Sequence, residues 1–142
     1  MTLVGALVAV AVLLAAAVVA GVLHRRSQGR ARQAAARPAI DPARLGGVEF
    51  GESATLVQFS TELCAKCPAV RRTLSSVADA HDGVRHVDVD LTHRPDIARD
   101  FGILQTPTTL IIDRHGVVRT RLGGSLRRDV VESELVRLTE AA

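Results

Sequence analysis

Tryptophan and tyrosine are absent from this chain of 142 residues, and phenylalanine occurs three times. Proteins that hold single-stranded nucleic acid stack bases on aromatic side chains, and this sequence has no such platform. Its basic balance does not supply another route to nucleic acid. Lysine occurs once, at Lys66, and the formal net charge of +3 arises from a local run of arginine at Arg25, Arg26, Arg30, Arg32 and Arg37. Beyond residue 38 the 15 acidic residues outnumber the remaining basic ones. A mildly acidic body behind a short basic segment is not the footprint of a nucleic-acid binder, and no nucleic-acid partner is expected. Glycine and proline, at 11 and 5, are too few for a collagen-like chain. The length is that of about one domain, which excludes a multidomain enzyme.

Charge is also missing from one whole region. The first 23 residues carry no charged side chain, and Leu3 to Leu23 is apolar or small throughout. A helix rising ~1.5 Å per residue over that run spans a ~30 Å hydrocarbon core, and a helix is the form in which a single span meets its backbone hydrogen bonds in lipid. Residues 3–23 are therefore expected to be one transmembrane helix. The alternative is a cleavable signal peptide, with small residues near Ala20 as the cleavage site. Such a peptide wants a basic start and a shorter apolar core, whereas Met1-Thr2 is uncharged. Basic residues flank the run only on its C-terminal side, so the positive-inside rule puts the C-terminal remainder of the chain in the cytoplasm, with the extracytoplasmic side as the alternative. The same arginines would be drawn to anionic headgroups.

Residues 24–45, rich in Arg, Ala and Gln with Pro38 and Pro42, read as a basic juxtamembrane linker, and residues 46–142 as a folded domain. Ala54 to Ser60 is a run of β-formers. Pro68 to Ala80 repeats apolar residues at Val70, Leu74, Val77 and Ala78, the spacing of an amphipathic helix. Val84 to Leu91 alternates, with Val87, Val89 and Leu91 on one face. Pro95 opens a short helix with Ile97, Ala98 and Phe101 inward. Thr108 to Ile112 is a further strand, Asp113 to Gly116 a turn, and Val117 to Leu122 its antiparallel partner. Gly123-Gly124 interrupts the chain before a last helix marked by Val131, Leu135 and Leu138. A short strand at Val48–Phe50 also fits. The order β-α-β-α-β-β-α predicts an α/β fold with a mixed sheet flanked by helices.

The two cysteines form Cys64-Ala-Lys-Cys67, where a strand gives way to a helix. Unsatisfied N–H groups and the partial positive charge of a helix start favour a thiolate at Cys64, and the single lysine, Lys66, adds a cation. Two intervening residues bring the sulfurs within reach of each other. A thiolate at the first position attacks a substrate disulfide and the second thiol resolves the mixed disulfide. Three other readings stand beside this one. With His81 and His86 the pair matches a zinc-finger spacing, though a strand histidine and a helix-end histidine do not share a helix face. A purely structural disulfide would close so short a loop that it stabilises little. Soft Cu(I) ligation suits two thiolates, but the chain has one methionine and no histidine beside the cysteines.

Taken together, Leu56-Val-Gln-Phe-Ser60, Cys64-Ala-Lys-Cys67, Val87-Asp-Val-Asp90, Phe101-Gly102-Ile103 ahead of Thr106-Pro107-Thr108, the hairpin Ile111 to Gly116, and Gly123 resemble a thioredoxin-like domain over about two-thirds of the chain. With its apolar N-terminus the chain is similar to the membrane-anchored thioredoxin-like proteins of bacteria, many of which act outside the cytoplasm. That resemblance implies a thiol–disulfide oxidoreductase with Cys64 and Cys67 as the redox pair and no bound cofactor. It implies protein disulfides as substrates and a protein or low-molecular-weight thiol as electron donor. It also implies that Pro107 is cis and faces the cysteines, with Thr106 offering backbone groups to a substrate strand. The sequence departs from thioredoxin at Leu63 in place of a tryptophan and at Ala-Lys within the motif. It departs again at Gln58 in place of a buried aspartate and at His86 in place of that aspartate's lysine partner. Lys66, His86 and Gln58 are accordingly the candidates for tuning the cysteine pKa values. Thioredoxin's first helix has no room before Ala54.

Overall fold

The computed structural model describes residues 3–27, 32–33 and 39–140. Met1-Thr2, Arg30, Arg37 and the rest of the linker at 28–31 and 34–38 lie outside the described residues, as do the side chains of Arg25, Arg26 and Arg32. Helix α1 runs Leu3–Ser27, and its segment Leu3–His24 is long and apolar enough to cross a membrane. Its leucines and valines are exposed, with no cover from the domain. After β1 (Arg32–Gln33) come a 3₁₀ turn (Pro42–Leu45), β2 (Ala54–Ser60), α2 (Cys67–Asp79), β3 (Val84–Asp90), α3 (Pro95–Asp100), β4 (Thr108–Asp113), β5 (Val118–Gly123) and α4 (Arg128–Glu140).

The strands form one mixed sheet in the order β1-β5-β4-β2-β3. The β2–β3 pair is parallel, joined through α2, and β4 pairs antiparallel with both β2 and β5. All seven residues of β2 are buried, as expected of a central strand with a helix layer on each face. Strand side chains alternate between faces, and β2 shows it. Leu56 meets Val70, Leu74 and Val77 of α2 and Val131 and Leu135 of α4 on one side. Val57 and Phe59 meet Ile97, Phe101, Ile40 and Leu45 on the other. Phe59 and Phe101 stack at 5.6 Å between ring centroids, and the Arg44 guanidinium lies 5.5 Å from the centre of the Phe101 ring. Truncating the fully buried Leu56 to alanine would remove about 2–5 kcal/mol.

Two details differ from the sequence reading. Val48–Phe50 is not a strand; Val48 and Phe50 instead pack their half-buried side chains against the cluster around Phe59. The stretch read as linker also contributes structure. Arg32 and Gln33 pair with Arg121 and Thr120 at the sheet edge, and Ile40 and Leu45 are core residues. An isolated apolar residue between prolines has no periodicity to betray it.

Candidate functional site

The polypeptide leaves β2 at Ser60, makes one turn and enters α2 at Cys67. That turn is built from backbone bonds: Cys64 N–H donates to Thr61 O and Cys67 N–H to Cys64 O, both at 3.1 Å. It brings the two α-carbons within 5.4 Å and joins Cys64 to Cys67 in a disulfide with S–S 2.03 Å. Lys66 is the N-cap residue and Pro68 occupies the first helical turn, where its missing N–H has no helical partner to lose. Cys67, not Pro68, is thus the first residue of α2, and Cys64 stands one turn ahead of it. The two cysteines are not equally exposed. Cys67 is 3% exposed, whereas Cys64 is half-buried.

Around this turn lie Thr106, Gln58 and Lys66. The Thr106–Pro107 peptide bond is cis. The loop that carries it is tied to the cysteine turn by a hydrogen bond of 3.2 Å between the Thr61 and Thr106 hydroxyls, and Thr61 is the residue whose carbonyl receives the Cys64 N–H. Pro107 O also accepts from Gly124 N–H at 2.8 Å, which ties the end of β5 to the proline. Gln58 has no exposed surface, and its Nε2 donates to Cys67 O at 3.0 Å. Lys66 is exposed.

His86 belongs elsewhere. The parallel register sets it beside Leu56, while Asp88, two residues on, stands opposite Gln58. The position beside Gln58 is therefore an aspartate, not His86. Asp88 accepts from the Ser60 hydroxyl and from Arg71 Nε of α2 at 2.6 Å. His86 Nδ1 instead faces Ser75 Oγ at 3.0 Å. Burial lowers the His86 pKa below its ordinary value; the Asp88 carboxylate opposes this and Arg71 adds to it. His81 Nδ1 donates to Val77 O at 2.9 Å. The four residues of the zinc reading are thus engaged separately, and the described residues contain no cluster of three or more His, Cys, Asp or Glu side chains able to hold a metal ion.

Thr61, Thr92 and the Ser60–Asp88–Arg71 group were not singled out by the sequence. Thr92 accepts the Glu62 N–H at 3.0 Å and so anchors the cysteine turn to the loop after β3. Counting the register of two parallel strands would have found Asp88; threonine contacts between loops leave no sequence signal.

The thioredoxin family model matches residues 48–136, and the chain belongs to the thioredoxin family. Thioredoxin H2 of Arabidopsis thaliana is 25% identical over 83 residues, 58% of this chain and 61% of that protein, so the match spans less than two-thirds of that relative. Among solved structures, chloroplastic thioredoxin z is similar with a TM-score of 0.56 at 25% identity, over 64% of this chain and 81% of that one. MTB dsbF, solved in mixed oxidized and reduced forms, is similar with a TM-score of 0.52 at 19% identity, over 61% and 81%. Thioredoxin-2 of the malaria parasite gives 0.57 at 15% identity, over 64% and 88%. The last two likenesses carry the fold alone. A thioredoxin domain with its CxxC pair in a disulfide supports thiol–disulfide exchange.

Proposed function

We propose that this chain is a membrane-anchored thiol–disulfide oxidoreductase that exchanges disulfides with protein substrates. The observation that carries the reading is the unequal exposure of the two bonded cysteines. Exchange proceeds by in-line attack of a thiolate on a disulfide sulfur, which needs one sulfur that substrates reach and one held back to resolve. Half-buried Cys64 fits the first role and buried Cys67 the second. In the reducing half-cycle the Cys64 thiolate bonds to one substrate sulfur and expels the other as a thiolate. Cys67, deprotonated, then attacks Cys64 Sγ, restoring the disulfide and releasing the reduced substrate. A protein dithiol or low-molecular-weight thiol returns two electrons and two protons. No bound cofactor enters this cycle.

Thr106 and Pro107 form the substrate-docking edge in this reading, supported by the hydroxyl tie from Thr106 to Thr61. Leu63 and Leu104, 97% and 96% exposed, are the most solvent-exposed large apolar side chains described. They lie in the cysteine turn and in the loop before Thr106, where a protein substrate would cover them. Lys66 adds positive charge beside Cys64. Anchoring rests on Leu3–His24, and the arginine-rich flank argues for a cytoplasmic domain.

The test is insulin-disulfide reduction by the full chain in detergent. Cys64→Ser should abolish it, and Cys67→Ser should accumulate mixed disulfides visible on non-reducing gels. Faster alkylation of Cys67 than of Cys64 in the reduced protein would reverse the assignment.

A further inference from the structure

Thr61 touches both of the loops that meet beside the disulfide. Its carbonyl accepts the Cys64 N–H at 3.1 Å, so its backbone shapes the cysteine turn. Its hydroxyl lies 3.2 Å from the Thr106 hydroxyl, so its side chain reaches the loop that ends at the cis Thr106–Pro107 bond. The next residue fastens the cysteine turn to a third segment, where Glu62 N–H donates to Thr92 Oγ1 at 3.0 Å. The turn is thus pinned before it reaches Cys64. The Thr106 loop is pinned at its two ends: Ile103 N–H donates to Ala98 O at 2.7 Å, and Pro107 O accepts from Gly124 N–H at 2.8 Å. Between these anchors Leu104 and Gln105 are exposed and Thr106 is half-buried, so packing does little to hold the middle of the loop.

A side-chain bond from a pinned turn to the middle of a weakly packed loop fixes the distance between the two. That distance matters to one kind of substrate. A protein disulfide held along Thr106 must at the same time present a sulfur to Cys64 in line, and a small misplacement of a reacting group is costly. A small disulfide without a peptide backbone has only Cys64 to reach. We propose that the Thr61 hydroxyl is the spacer that sets the docking loop against the cysteine turn, and that it makes the redox pair selective for disulfides carried on a polypeptide over small free disulfides. Thr61 is a positioning residue, acting through Thr106. The inference rests on the exchange reading and its docking edge, and adds a determinant of substrate class.

The test mixes the pre-reduced full chain in detergent with excess insulin or with bis(2-hydroxyethyl) disulfide, which has no peptide backbone, and follows oxidation of the pair by alkylation. The readout is the ratio of the two second-order rate constants, insulin over small disulfide. Thr61→Val keeps the shape of the side chain and removes its hydroxyl, and should lower the ratio about fivefold, the worth of one ordinary hydrogen bond. Thr61→Ser, which restores a hydroxyl, should return the ratio to within about twofold of the natural chain. Thr106→Val should lower the ratio as Thr61→Val does, and the double variant no further, because each change removes the same bond. An unchanged or raised ratio, an equal slowing of both reactions, no recovery in Thr61→Ser, or additive losses in the double variant would overturn the proposal. Should Thr61→Val fail to fold, Thr106→Val and its rescue by Thr106→Ser decide on the same ratio. A natural chain that reacts with neither disulfide would overturn the exchange reading and this inference with it; one that reacts with both at a ratio indifferent to Thr61 would overturn this inference alone.

Discussion

At the scale of single residues, His86 and Asp88 show how far one strand position matters. They lie on the same face of β3, and only the pairing register decides which of them stands beside Gln58. The CxxC motif and the Thr-Pro-Thr were legible because each is a local pattern with its own chemistry. The partner of Gln58 was not, because register is a property of two strands together. His86 has a testable consequence of its own. Burial holds its folded pKa below the ordinary 6.5. The unfolded chain therefore binds more protons than the fold as pH falls below 6.5, and stability declines through that window. His86→Gln retains a partner for Ser75 and does not titrate. Urea midpoints at pH about 7 and about 5 should thus fall more for the natural chain than for the variant. Parallel declines in the two proteins would contradict the assignment.

At the scale of elements, the strands and helices of the domain were legible wherever burial is one-sided. The alternation of Val87, Val89 and Leu91 and the spacing of Val70, Leu74 and Val77 match the faces that the core occupies. The segment before β2 was less legible, because its place is fixed by close backbone approach and not by side-chain periodicity. Gly51 shows why. A β-carbon there would lie 2.3 Å from Ala54 O, 2.6 Å from Gly83 O and 2.8 Å from Arg85 N, all of them backbone atoms. None of these can rotate away, as the flexible end of a side chain could. Gly51 N–H also donates to Thr55 Oγ1 at 2.9 Å, fastening this segment to β2. Gly51→Ala should therefore force the entry to β2 away from the start of β3, at a cost of about 1–3 kcal/mol. A urea midpoint unchanged from the natural chain would show that the segment yields freely.

At the scale of the whole molecule, the proposed anchoring raises the question of which side of a membrane the redox pair would face. The domain cannot stray far from the apolar segment of α1. His24 ends the apolar segment and Arg32 pairs with the sheet edge at Arg121, so the eight intervening steps limit their separation to about 30 Å. Sidedness then depends on the flanks of α1. Five arginines, Arg25, Arg26, Arg30, Arg32 and Arg37, come after the apolar run and no basic residue precedes it. Orientation responds to Lys and Arg close to the ends of a span, while acidic residues count for little. The expected arrangement is an N-terminus outside and Cys64–Cys67 in the cytoplasm. Neutralising the five arginines and adding lysines after Met1 should invert it. A C-terminal alkaline phosphatase fusion, active only outside the cytoplasm, should be silent on the natural chain and active on the inverted one. Phosphatase activity on the natural chain would place the domain outside instead. Disulfides persist there, while the cytosol keeps thiols reduced, so the electrons for a reductase would have to come from a partner across or within the membrane. The disulfide chemistry of Cys64 and Cys67 is common to both outcomes, and what sidedness decides is the direction in which the pair is driven.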